Sequence, residues 1–231
     1  MSSERDVAIF MAQILDQTDR HQDMVDTMKK IIDLGADLNN DERNLLSVAY
    51  KNIVGARRNG LRMITAIIEH EQSRNNNARV GELTKYRQTL LGELEGFCNE
   101  LIDIVDKKLL PAAKAAESRV FYEKLKADYY RYICESRNES DKTDPANKAK
   151  ACYESAMEIS KKEIQPYKPT SLGLVLNYSV FLYEIIGQKQ EAIELAQTTY
   201  TECSASVEDN SDASYSEATM ILQLLRDNVQ L

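Results

Sequence analysis

The chain has no tryptophan, and only four prolines and eight glycines among its 231 residues. So little punctuation leaves long stretches free to run as regular structure and excludes a loop-rich or collagenous chain. Long apolar runs are also missing. The longest uncharged stretch, Pro169 to Tyr183, contains Asn177 and is too short and too polar to span a bilayer. Four cysteines (Cys98, Cys134, Cys152, Cys203) stand far apart with no C-x-x-C pair. That usage suits a reduced compartment and gives neither a disulfide framework nor a zinc knuckle. The two histidines, His21 and His70, have no partner at metal-ligand spacing, and "HEQSR" is not H-E-x-x-H. Glycine-rich phosphate loops and nucleophile elbows are absent as well. An excess of basic residues is lacking too: 29 Lys+Arg face 37 Asp+Glu, a net charge of −8, which argues against general nucleic-acid binding. The sequence therefore predicts no enzyme, no metal and no cofactor. The start, "MSSERDVAIFMAQILD", has an acidic lead-in that does not suit a signal peptide, so a cytoplasmic location is expected.

What is present is helical periodicity nearly everywhere, and no strand pattern competes with it. The periodicity predicts an all-α chain of nine helices over 3–18, 20–34, 41–73, 81–109, 113–137, 146–162, 170–185, 188–206 and 213–230, within one domain spanning 1–231. Gly35 follows the second helix where a left-handed C-cap belongs, and Asn40-Asp41 can cap the third. "SRNNNARVG" and "ESDKTDPANK" are polar breaks, and Pro111 ends the fourth helix. "ACYESAMEISKKE" (151–163) loosely echoes "EAIELAQTTYTEC" (191–203), which leaves a tetratricopeptide-like repeat scaffold binding unmodified peptides as the alternative architecture.

Against the acidic background stands a basic island, "VAYKNIVGARRNGLR" (48–62). On one helix Lys51 and Arg58, seven residues apart, lie within about 20° of each other around the axis. Arg62 returns to the same side, and the apolar stripe Leu46, Ile53, Ile64 and Ile68 is centred elsewhere. A second cluster, "FYEKLKADYYRYICES" (121–136), places Lys124, Asp128 and Arg131 on one face with Tyr132 beside Arg131. Each cluster alone reads first as a solvated ladder in which acids neutralise bases. Converging, two guanidinium groups, an ammonium and a phenol hydroxyl would suit a phosphate dianion. Farther on, Leu176 and Val180 are one turn apart in "LGLVLNYSVFLYEII", with Asn177 and Glu184 on a shared face. In the last helix Met220, Leu224, Asn228 and Leu231 line one side. Core packing accounts for the apolar positions, whereas an asparagine amide inside such a stripe can serve an extended peptide backbone.

"NLLSVAYKNIVGARR" (44–58), "RVFYEKLKADYYRYICE" (119–135), "LGLVLNYSVFLYEI" (172–185) and "ILQLLRDNVQL" (221–231) resemble, in order and across nearly the whole chain, the signature segments of the 14-3-3 family. The resemblance implies nine antiparallel helices and a cup-shaped homodimer, or a heterodimer with a relative. Each protomer would carry an amphipathic groove that binds phosphoserine or phosphothreonine segments of client proteins. Residues 1–109 would supply dimerisation and the groove floor, and 110–231 its walls. Lys51, Arg58, Arg131 and Tyr132 match the phosphate-binding positions, and Asn177 and Asn228 those holding the peptide main chain. Leu176, Val180, Ile221, Leu224 and Leu231 match the apolar wall, and Glu184 and Lys124 further groove positions. Substituting Arg58, Arg131 or Leu224 by alanine would then leave the fold intact. A two-fold contact would use Ile14, Leu15, Arg20, Tyr86 and Glu93, with Met63 nearby and Arg20–Glu93 as an intersubunit ion pair. Gly60 stands where many relatives carry a phosphorylatable serine, and Thr89 where a lysine usual in the family would face Asp23.

Overall fold

The computed structural model describes residues 3–208 and 215–229. Among these residues all regular structure is helical. Nine helices follow one another: α1 (Glu4–Gln17), α2 (His21–Leu34), α3 (Asn40–Ser73), α4 (Asn77–Ile104), α5 (Ala116–Ser136), α6 (Thr143–Glu163), α7 (Pro169–Phe181), α8 (Lys189–Glu208) and α9 (Tyr215–Val229). Two of them run on past their α-helical part. A π-helical turn, Val105–Leu109, carries α4 into Leu110–Ala112, and another, Leu182–Ile186, extends α7 to the left-handed Gly187. The chain divides into two compact units, Met1–Ala113 and Lys114–Leu231.

Three helix starts differ from the sequence reading by three residues or more, and the fifth of the helices begins at Ala116 rather than at 113. The fourth helix begins at Asn77 because the break before it needs a single left-handed residue, Asn75, a geometry asparagine tolerates. The sixth begins at Thr143 and takes Pro145 into its first turn, where the missing N–H has no helical partner to lose.

In the first unit reciprocal capping boxes start α1 (Ser3 with Asp6) and α3 (Asn39 with Glu42). Glu42, almost fully buried, also accepts two hydrogen bonds from Arg5, at 2.7 and 3.0 Å. Arg5 donates in addition to the carbonyls of Ile31 and Gly35, so one guanidinium ties α1 to the junction of α2 and α3. Gly35 is not the left-handed cap that its position suggests. Its φ of 168° is extended backbone, and a β-carbon there would lie 3.0 Å from the Arg5 guanidinium. The glycine makes room for the arginine. Met24, Met28 and Ile31 of α2, Leu46, Tyr50 and Ile53 of α3, and Leu94 and Leu101 of α4 are all buried. The anticipated α3 stripe is thus buried at Leu46, Ile53 and Ile64 and only partly covered at Ile68.

The same unit leaves apolar side chains in the open. On α1, Val7, Phe10 and Met11 are exposed at helical spacing, Phe10 by 58%. Met63 and Ile67 on α3 and Tyr86 on α4 are exposed too, and Ile67 and Tyr86 line a cleft that also includes Ala78 and Leu83. Ile14 and Leu15 are partly covered. Arg20 and Glu93, the residues implied as an intersubunit pair, each hold an opposite charge within the chain. Arg20 bonds Asp23 at 2.6 Å, and Arg57 bonds Glu93 at 3.0 Å.

The second unit is built on two apolar clusters. Tyr153, Tyr178 and Phe181 form a ring cluster at centroid distances of 5.2–6.3 Å, packed with Val120, Leu174 and Leu182. Leu172, Ala196, Cys203, Leu222 and Leu225 make the other. The echo between α6 and α8 has a packing cause: small residues of both segments, Cys152 and Ala156 in α6 and Ala192, Ala196 and Cys203 in α8, are buried. All four cysteines are buried and unpaired with one another.

Candidate functional site

Helix α5 has no side-chain cap and places charged residues at i, i+4 and i+7 along one side. Asp128 is the hub. It is only 5% exposed, and its carboxylate accepts from Tyr153 Oη at 2.5 Å, from Lys124 Nζ at 2.9 Å, from Asn177 Nδ2 at 2.9 and 3.0 Å, and from Arg131 at 3.5 Å. Burial by itself would raise its pKa, but the Lys124 and Arg131 charges and the Tyr153 hydroxyl outweigh burial and hold it below the usual carboxylate value. The Tyr153 phenol moves the other way, pushed well up first by burial and then by the Asp128 charge, so it stays a donor.

Arg131 is 8% exposed. Its Nη1 donates to Glu135 at 2.9 Å, its Nε reaches Tyr153 Oη at 3.3 Å, and its guanidinium lies 4.9 Å from the centre of the Tyr132 ring. Most of its fork is therefore held from behind and beside. Lys124 and Arg131 are balanced by Asp128 and Glu135, so this cluster alone is neutral. An anion would need further cations to bind here with strength.

The two other anticipated cations belong to the first unit, on α3. Lys51 is exposed and Arg58 half-buried, on the side of α3 away from its buried stripe. Four of the anticipated residues, Lys124, Arg131, Tyr132 and Asn177, are brought together around Asp128. Val180, Glu184 and Asn228 line one small cleft with Tyr183 and Ile193, in which the π-helical turn after α7 carries Glu184. Leu176 and Ile221 pack against the second apolar cluster, and Leu224 remains 46% exposed. Leu231 lies outside the described residues. Two members of the charged cluster were not singled out from the sequence. Glu135, four residues after Arg131, was legible as a helical neighbour. Tyr153 comes from another helix and carries no local signal. Among the described residues no group of three or more His, Cys, Asp or Glu could hold a metal ion, and no helix is long and apolar enough to cross a membrane.

Comparison with known proteins covers nearly the same span as the sequence signature. The family model described as "14-3-3 protein" matches residues 11–231. The chain is 41% identical over 231 residues to the human 14-3-3 protein beta/alpha, covering all of this chain and 93% of the relative. It is 42% identical over 232 residues to the 14-3-3-like protein 2 of Caenorhabditis elegans, covering all of this chain and 92% of that one. The 14-3-3 protein homolog of Trichoderma harzianum is 41% identical over 224 residues, 97% of this chain and 86% of its own length.

Proposed function

Because this chain belongs to the 14-3-3 family, we propose that it is a non-enzymatic adaptor that grips phosphoserine- or phosphothreonine-containing segments of client proteins. Arg131 is the observation that carries the reading. A nearly buried guanidinium locked by Asp128, Glu135 and Tyr153, with the Tyr132 ring against it, is already ordered before an anion arrives. The α5 cluster is neutral by itself, and the family resemblance adds Lys51 and Arg58, seven residues apart on one side of α3, as the further phosphate-binding cations. Asn177 and Asn228 then serve the peptide main chain, and Leu176, Val180, Ile221, Leu224 and Leu231 its apolar flank. A phosphoserine peptide with an upstream arginine is expected to bind, and its serine counterpart far more weakly, in fluorescence polarisation. The phosphate adds about −1.5 to −2 charges at pH 7 and three acceptor oxygens. Equal affinity for the two peptides would sink the reading and favour a scaffold for unmodified peptides.

Self-association through the first unit completes the proposal. Its exposed apolar residues on α1, α3 and α4, with Ile14 and Leu15, form a surface suited to a second copy. Since Arg20 and Glu93 have partners within the chain, apolar contact rather than their mutual attraction carries the pairing. Exposed ion pairs contribute only about 0–1 kcal/mol in any case. Sedimentation at micromolar concentration should give a species near twice the 26.3 kDa chain mass, unchanged between low and moderate salt. A 26.3 kDa species would rule out the dimer.

A further inference from the structure

We infer that Asp128 is a positioning residue that decides which end of the Asn177 amide a bound peptide meets; the inference rests on the phosphopeptide reading above. Asn177 Nδ2 lies 3.0 and 2.9 Å from the two oxygens of the Asp128 carboxylate. Only the nitrogen end of an amide can face a carboxylate, because Oδ1 in that place would set acceptor against acceptor. The carboxylate itself has no freedom to turn away. Tyr153 holds Oδ1 at 2.5 Å, Lys124 holds Oδ2 at 2.9 Å, and the group is 5% exposed. Tyr153 is in turn fixed by the ring cluster with Tyr178 and Phe181. The nitrogen end of Asn177 is therefore committed to the protein, and Oδ1 is the end left for a ligand.

A peptide main chain passing Asn177 must then offer an N–H at that point, and a C=O there is disfavoured. This sets the direction in which an extended segment can lie beside the phosphate cluster. The same carboxylate also takes Lys124 and Arg131, so one buried group aligns the main-chain acceptor with two of the cations. A neutral isostere at 128 would remove both effects at once, since an amide facing Asn177 accepts either of its orientations.

The test uses the full chain, a phosphoserine peptide that it binds, and analogues in which one backbone N–H within two residues of the phosphoserine is replaced by an ester oxygen. On the wild type one analogue is expected to lose about three- to tenfold in affinity, the worth of one neutral hydrogen bond. On Asn177→Ala and on Asp128→Asn the same ester should cost less than about twofold. If Asp128 served the fold alone, Asp128→Asn would weaken every peptide alike and leave the ester penalty in place, and that result overturns the inference. A second measurement needs no folded variant at position 128. The side-chain amide protons of Asn177, identified by their loss in Asn177→Ala, should exchange slowly and hardly shift when peptide is added to the wild type. A large shift would place the nitrogen end on the ligand and also overturn the inference. Failure of the wild type to distinguish phosphorylated from unphosphorylated peptide sinks the phosphopeptide reading and this inference with it. Phosphate-dependent binding with an unchanged ester penalty at Asp128→Asn sinks this inference alone.

Discussion

Replacing Lys51 with glutamate is expected to lower affinity for a phosphoserine peptide by about a hundredfold or more while leaving the melting temperature nearly unchanged. Lys51 is exposed on α3, and lysine and glutamate are similarly good helix formers. The fold therefore has little to lose, and surface substitutions of this kind usually stay within about 0.5 kcal/mol. The ligand has much to lose. Near a protein surface two unit charges about 4 Å apart interact by roughly 4 kcal/mol, and reversing one of them turns attraction to a phosphate into repulsion. Even with strong screening, about 3 kcal/mol remains, which is two orders of magnitude in the dissociation constant. Lys51→Gln should fall between the two, and Arg58→Ala should weaken binding strongly for the same reason. Leu224→Ala should cost less, about tenfold at most, because the side chain is already 46% exposed and touches only the apolar flank. Fluorescence polarisation with the labelled peptide, alongside melting curves, reads all four. Undiminished binding by a folded Lys51→Glu variant would make the basic row on α3 a solvated face.

Arg131→Ala is expected to fail differently, by loosening the second unit itself. The residue reads from the sequence as an exchangeable groove cation, yet it is 8% exposed and bonded to Asp128, Glu135 and Tyr153. Removing one partner of a buried ionic cluster leaves the others facing low dielectric without compensation, typically at about 3–5 kcal/mol. Asp128 keeps Lys124, Asn177 and Tyr153, so the lower end, about 3 kcal/mol, is expected here. For a chain of this size that lowers the melting temperature by roughly 6–12 °C. Arg131→Lys, which keeps the charge and loses the planar fork, should recover part of the stability and little of the binding. A melting curve for Arg131→Ala that superimposes on the wild type would show that the cluster contributes nothing to the fold.

These two substitutions divide the site by what could be read from the chain alone. Lys51 and Arg58 are seven residues apart on a helix whose apolar stripe is equally plain, so their side of α3 follows from the 3.6-residue period. Arg131 sits in an equally legible pattern, but its burial does not follow from it. Burial depends on Tyr153 and Asn177, 22 and 46 residues further along, folding back over α5. Gly35 makes the same point from the backbone. A glycine after a helix usually signals a left-handed cap, and here the reason for it is the Arg5 guanidinium arriving from 30 residues away.

The sequence by itself determined the helical class, the order and approximate extent of nine helices, and the family to which the signature segments point. Those properties are local: periodicity, caps and breaks act within a few residues, and a dearth of glycine and proline leaves nothing to interrupt them. Only the tertiary structure decided that Asp128 is the hub of the charged cluster, that Arg131 belongs to the interior as much as to the surface, and that Asn177 turns its amide nitrogen to the Asp128 carboxylate. Each of these depends on groups distant in sequence meeting in a low-dielectric place, where a carboxylate must be satisfied by whatever donors the fold delivers. Spacing along a helix carries no record of which donors those are.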